Sequence, residues 1–172
     1  MEPLVILASS RGDGNTRNLV DLCFKGRSVV VRDLSSLRLG YYSYCGYDHT
    51  DEFIELVTDG IQCRPWFIAT PLYWYSMSAT AKTFIDRFTD LITTHKPLGR
   101  QLRGLPLGVI CSGADPATPE GFSVPFELTC RYMDMKFLGV HYAQYAKSGP
   151  MRETAEEQGQ AFVHSAIATS NA

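Results

Sequence analysis

The stretch Ser9-Ser10-Arg11-Gly12-Asp13-Gly14-Asn15-Thr16 carries the groups that grip an anion. Ser9, Ser10, Asn15 and Thr16 offer neutral side-chain donors, and Arg11 a charged one. Gly14 keeps the loop small just before Asn15. An apolar run, Leu4 to Ala8, precedes the loop, and Leu19, Val20, Leu22 and Cys23 follow it at helical spacing. A strand that ends in such a loop and opens a helix aims the helix's first free N–H groups, and the positive end of its dipole, into the loop. Phosphate is the natural guest. Arg17 stands where a dinucleotide fingerprint needs a small residue, and no Gly-Lys-Ser/Thr follows, so neither that fingerprint nor a triphosphate P-loop is present. The plainer alternative is a polar loop in which Asn15 or Thr16 caps the helix.

A second segment, Thr70-Pro71-Leu72-Tyr73-Trp74-Tyr75-Ser76-Met77-Ser78-Ala79, places three adjacent aromatics beside a loop proline. Exposed aromatics want a flat apolar partner, whether ligand, subunit or core. Small residues nearby let backbone N–H groups approach a ligand, and Ser78 can cap the following helix. One molecule satisfies both segments: flavin mononucleotide (FMN), with its phosphate on Ser9–Thr16 and its ring along Pro71, Leu72, Tyr73, Trp74, Tyr75 and Ser76. A third, weaker segment, Cys111-Ser112-Gly113-Ala114-Asp115, offers backbone donors from Ser112 and Gly113 to the polar side of the ring.

The elements that must position these loops alternate along the chain. Strands are expected at 4–8, 28–33, 66–69 (stopped by Thr70-Pro71), 105–111 and 138–145. Helices are expected at about 15–25, from 51 or 52 through Val57, and at 78–93, 126–135 and 153–168, with a frayed tail at 169–172. Residues 40–48 read as an aromatic loop. Five buried strands with intervening helices specify an α/β, doubly wound sandwich around a five-stranded parallel sheet. Ligands of such sheets sit beyond the carboxyl ends of the strands, where the three segments fall.

A length of 172 residues suits a single domain, 1–172. A formal charge of −2 gives no field suited to nucleic acid or an anionic membrane. The apolar runs are too short to span a bilayer, and the start lacks a basic region of the signal-peptide kind. Five scattered cysteines, Cys23, Cys45, Cys63, Cys111 and Cys130, and four isolated histidines suggest free thiols, no metal site and a reducing cytoplasm.

These residues resemble the flavodoxin-like NADPH-dependent FMN reductase family. The matching pieces are 8–17, 70–78 and Lys82-Thr83-Phe84-Ile85-Asp86-Arg87, with Cys111-Ser112-Gly113 where the family has its third flavin loop. The resemblance implies a flavodoxin-like fold. It also implies phosphate binding by Ser9, Arg11, Asn15 and Thr16, and a ring framed by Pro71, Leu72, Tyr73, Trp74 and Ser76. A homodimer or homotetramer follows from it too, with Lys82 to Arg87 near a subunit contact. Iron–sulfur members of the broad family carry clustered cysteines after the second strand. Here only Cys45 lies there, so no cluster is expected.

The expected activity is FMN-dependent NAD(P)H oxidation, with NADPH or NADH as donor and a small electron acceptor such as a quinone or flavin. No protein acid or base is needed, because the cofactor carries the chemistry. The alternatives are a flavodoxin-type electron carrier without direct NAD(P)H oxidation, a hydrolase using Cys111 with His141, and a non-catalytic FMN sensor. The small net charge speaks against the carrier, since such carriers steer to basic partners by strong acidity. Lys82–Asp86 reads as a surface pair of little consequence.

Overall fold

The computed structural model of the chain describes residues 1–145 and 154–170. The strands are β1 (Leu4–Leu7), β2 (Val30–Asp33), β3 (Trp66–Pro71), β4 (Pro106–Gly113) and β5 (Lys136–Gln144). The helices are α1 (Asn15–Cys23), α2 (Phe53–Gly60), α3 (Ala79–Asp86), α4 (Phe88–Ile92), α5 (Lys96–Gly99), α6 (Val124–Tyr132) and α7 (Thr154–Ser170). All pairings are parallel and the order is β2-β1-β3-β4-β5, the doubly wound arrangement expected.

Alternation along the strands builds two cores. Leu4 and Ile6 of β1, with Trp66 and Ile68 of β3, face α2, α3, α4 and α6. Val5, Leu7, Phe67 and Ala69 face α1 and α7. Both faces of the central strands are therefore apolar, which is why they read as continuous hydrophobic runs. Trp66 is fully buried, and its indole N–H donates to the Gly60 and Cys63 carbonyls at 2.9 and 3.1 Å.

Several boundaries differ from expectation. β3 does not stop at Thr70-Pro71 but pairs Thr70 with Cys111 and Pro71 with Ser112. Leu72 N–H donates to Ser112 O at 2.7 Å toward β4, so the N–H that proline lacks falls on the opposite side, where β1 has already ended. β4 likewise runs through Ser112 and Gly113, which are buried strand residues rather than loop. The helix expected over 78–93 is two, α3 and α4, joined at Arg87, whose carbonyl accepts from Asp90 N–H three residues on and tightens the turn. Arg87, expected with Lys82 near a subunit contact, is instead 1% exposed within the chain itself. The four-residue α5 is too short for periodicity to reveal. α6 starts and ends earlier than 126–135, opening with Pro125 in its first turn. β5 begins at Lys136, two residues early, beyond a register shift opposite Leu107/Val109. Thr169 and Ser170 are helical rather than frayed, while Glu153 and residues 171–172 lie outside the described residues.

Candidate functional site

The ends of β1, β3 and β4 are neighbours at one edge of the sheet, so the three singled-out segments share a rim. Side chains tie them together. Ser78 Oγ donates to Ala8 O at 2.6 Å and accepts from Ala81 N–H at 3.1 Å, so one hydroxyl caps α3 and fastens it to the end of β1. Thr70 Oγ1 accepts from Ser78 N–H at 3.0 Å. Thr16 and Ser112 share a hydrogen bond of 2.9 Å, joining the start of α1 to β4.

The segment 9–16 leads into an open helix start. Gly14 is the N-cap of α1, and no side chain accepts from the helix's first N–H groups. Neither Asn15 nor Thr16 is the ordinary cap weighed from the sequence. Ser10, Arg11 and Asn15 are exposed around this open helix end, and Ser9 and Thr16 are buried at its base. Unsatisfied N–H groups at a helix start, with hydroxyl, amide and guanidinium donors beside them, are groups that could hold an anion such as a phosphate. A Cβ at Gly12 would come within 2.5 Å of an Asp33 carboxylate oxygen, so a larger residue there would have to displace that side chain. Asp33 itself is held by Ser35 N–H and Oγ at 2.9 and 2.8 Å.

The aromatic segment is a tight hairpin. Tyr73 and Ser76 exchange both backbone hydrogen bonds at 3.0 Å, with Trp74 and Tyr75 between them at φ of +46° and +67°. Two left-handed residues in a two-residue turn are the type I′ geometry, which glycine and asparagine favour. A non-glycine residue held there stores about 1 kcal/mol or more of strain. Leu72 and Met77 anchor the hairpin in the core, while Trp74 and Tyr75 stand 93% and 67% exposed. The structure thus holds two large rings in solvent at the cost of backbone strain.

The third segment contributes differently from expectation. The carbonyls of Ser112 and Gly113 accept from Leu72 and Tyr145 N–H groups, at 2.7 and 2.9 Å. A Cβ at Gly113 would lie 2.7 Å from Tyr142 Oη and 3.0 Å from Leu72 Cβ, so only glycine fits under the tyrosine. The loop proper starts at Ala114, where Gln144 Nε2 donates to Ala114 O at 2.8 Å and Tyr142 Oη to Asp115 O at 2.5 Å. Burial pushes the Tyr142 phenol up to about 12, which keeps its proton for that bond. Sequence reasoning missed Tyr142 and Gln144 because an edge-strand tyrosine and glutamine carry no motif.

Cys111 is fully buried and burial pushes its thiol up to about 12, the profile of an inert packing thiol. His141 pairs in register with Ile110, and Cys111 with Tyr142, so His141 and Cys111 project from opposite faces of the sheet. The cysteine hydrolase therefore has no dyad. Among the described residues no group of three or more His, Cys, Asp and Glu side chains could hold a metal ion, and no helix is long and apolar enough to cross a membrane.

Comparison with known proteins agrees with this geometry. The family described as NADPH-dependent FMN reductase matches residues 1–139. A Bacillus subtilis (strain 168) protein named as an NAD(P)H-dependent FMN-containing oxidoreductase, YwqN, is 28% identical over 155 residues, covering 81% of this chain and 82% of its own. The solved structure of a Trp repressor binding protein from Bacillus subtilis superposes with a TM-score of 0.76 at 24% identity, over 94% of this chain and 97% of that one. A general stress protein 14 from Treponema denticola, solved in complex with FMN, gives a TM-score of 0.66 at 17% identity, covering 99% and 98% of the two chains. The fold is flavodoxin-like. The chain belongs to the NADPH-dependent FMN reductase family, and with it to the NAD(P)H-dependent flavin oxidoreductases that use FMN as cofactor.

Proposed function

We propose that this family member, working as one domain over 1–172, binds FMN across the rim and passes a hydride from NADPH or NADH through it to a small acceptor such as a quinone or a free flavin. The carrying observation is the open N-terminus of α1 beside a strained, exposed aromatic hairpin, with Ser78 fastening the two. When bound, FMN supplies the redox chemistry, accepting a hydride and releasing electrons to the acceptor.

The protein's residues bind, orient and shield. Ser9, Ser10, Arg11, Gly14, Asn15 and Thr16 hold the phosphate by charge-assisted hydrogen bonds and the dipole of α1. Pro71, Leu72, Tyr73, Trp74, Tyr75 and Ser76 frame the ring. The hairpin aromatics exclude water and form one wall of the nicotinamide slot. Ser112 and Gly113 act from beneath, through the loop they support. A general acid or base is not required. Neutral, buried Cys111 supports that division of labour.

Exposed Ile92, Leu128 and Tyr132 on α4 and α6 support a homodimer or homotetramer, and five free cysteines support a reducing cytoplasm. The visible spectrum of the purified protein tests the reading. Yellow absorption that bleaches anaerobically with NADPH, together with turnover of a simple quinone, is expected. A colourless protein that gains no flavin spectrum on adding FMN refutes it. A yellow protein that exchanges single electrons quickly yet is untouched by NADPH or NADH makes it a carrier instead.

A further inference from the structure

β5 holds the loop after β4 at two consecutive carbonyls. Tyr142 and Gln144 are two residues apart, so they leave the same face of the strand. Gln144 takes the Ala114 carbonyl and Tyr142 the Asp115 carbonyl. Across a trans peptide the carbonyl and the following N–H point in opposite directions. Fixing Ala114 O on Gln144 therefore turns the Asp115 N–H away from β5. The next peptide has its carbonyl on Tyr142 and no N–H at all, because its nitrogen belongs to Pro116. Among the described residues the Asp115 N–H donates to no backbone acceptor. The loop thus presents one oriented, unpaired donor, next to the strand whose hairpin carries the exposed aromatics.

We propose that Tyr142 and Gln144 are positioning residues of the flavin site, which aim the Asp115 N–H at the polar edge of the bound ring. This rests on the FMN reading of the rim. A donor fixed before the ligand arrives stabilises negative charge that grows on reduction, without reorganising. The Gln144 amide suits direction better than stability. Its Nε2 makes the Ala114 bond, while its Oε1 is buried with no donor among the described residues. One bond against one orphaned acceptor leaves little net stabilisation of the apo fold.

The test compares wild type with Tyr142→Phe, Gln144→Leu and Asp115→Pro, the last deleting the N–H itself. FMN is titrated into each apo protein by flavin fluorescence, and the midpoint potential of the bound flavin is measured. Each variant is expected to weaken FMN binding by about two- to tenfold, the range of one hydrogen bond. Each is also expected to move the potential to more negative values, a shift that a merely structural role would not produce. Apo Gln144→Leu keeps the wild-type thermal midpoint. Adding Tyr142→Phe to Asp115→Pro has no further effect on affinity or potential, because the two changes remove the same donor. Wild-type affinity and potential in both β5 variants overturn the proposal, as do fully additive effects in the double variant. If Tyr142→Phe proves unstable, Gln144→Leu decides, alone and combined with Asp115→Pro, whose site is exposed. Failure of wild type to bind FMN overturns the rim reading and this proposal with it; tight wild-type binding with indifferent variants overturns this proposal alone.

Discussion

Two loops of this chain are rich in tyrosine and leave rings in solvent, Tyr41 and Tyr44 in 40–48 and Trp74 and Tyr75 in the hairpin, but only 40–48 also ties one ring inward. In 40–48, Tyr47 lies against the guanidinium of Arg87, 3.5 Å from ring centroid to Cζ, and donates its hydroxyl to Asp90 at 3.0 Å. Arg87 makes two hydrogen bonds to Asp51, at 2.7 and 2.9 Å, one to Asp90 at 2.7 Å and one to Gly40 O at 3.0 Å. Every charge in that knot is buried and paired. In 73–76, by contrast, no side chain draws the rings inward, and the backbone is strained to hold them out. Aromatic content alone does not mark a binding site. A site shows itself where donors, rings and strain are left without an internal partner.

Removing Arg87 should give the largest effect and separates the two regions most sharply. Arg87→Met leaves Asp51 and Asp90 buried without their cation, at a cost of about 3–5 kcal/mol in urea unfolding. FMN affinity of the fraction that remains folded should stay within about twofold of wild type, less than one hydrogen bond's worth. The pH dependence carries a sign. Burial pushes the Asp51 carboxyl up, but hydrogen bonds from Arg87, Gly40 and Phe53 outweigh it and hold the group below the usual carboxylate range. Its contribution is therefore complete above the unfolded value, about 3.9, and is lost as pH falls through the lower folded value. In Arg87→Met the largest downward hold on that carboxyl is gone and only the Gly40 and Phe53 hydrogen bonds oppose burial, so this loss of stability at low pH should shrink. Acid titrations followed by circular dichroism distinguish the two slopes, and identical slopes would break the comparison.

Ser78→Ala comes next. It removes the α3 cap and the bond to Ala8 O, so about 1–2 kcal/mol of stability should go. FMN binding should weaken as well, because the cradle and the hairpin lose their common fastening. A stability loss with unchanged FMN affinity would show that the rim does not act as a unit.

Tyr75→Gly sharpens the contrast from the other side. Relieving φ of +67° should offset glycine's greater chain entropy and change stability by no more than about 1 kcal/mol, on the stabilising side. The same change should weaken FMN binding. Gain of stability with loss of affinity is what a strained ligand clamp gives, whereas loss of both would make the hairpin an ordinary turn. The smallest effect belongs to Lys82→Ala. Lys82 pairs with Asp86 at 2.5 Å on the exposed face of α3, and such pairs are worth about 0–1 kcal/mol.

The sequence made the rim legible because its signals are local. A polar loop between a buried strand and a helix, and three adjacent aromatics after proline, need no knowledge of distant residues. The parallel sheet with helices on both faces followed from alternation and apolar runs. What escaped depends on contacts far apart in the chain. Arg87 read only as part of a helix near a subunit contact; its buried place is set by Asp51, 36 residues away. The roles of Tyr142 and Gln144 depend on carbonyls 27 and 30 residues earlier. Strand ends were misplaced at Pro71 and Gly113 because the pairing partner decides whether a proline or glycine ends a ladder.

The chain has two tryptophans, and the fold sends them to opposite extremes. Trp66 sits in a rigid, dry interior with its N–H doubly engaged, so its emission should be blue and constant. Trp74 is bathed in water at the tip of the hairpin, so its emission should be red and open to quenching. A flat chromophore landing on the hairpin should darken only the red component, leaving Trp66 as an internal standard. The unlabelled protein then reports occupancy of its own rim in a single fluorescence spectrum.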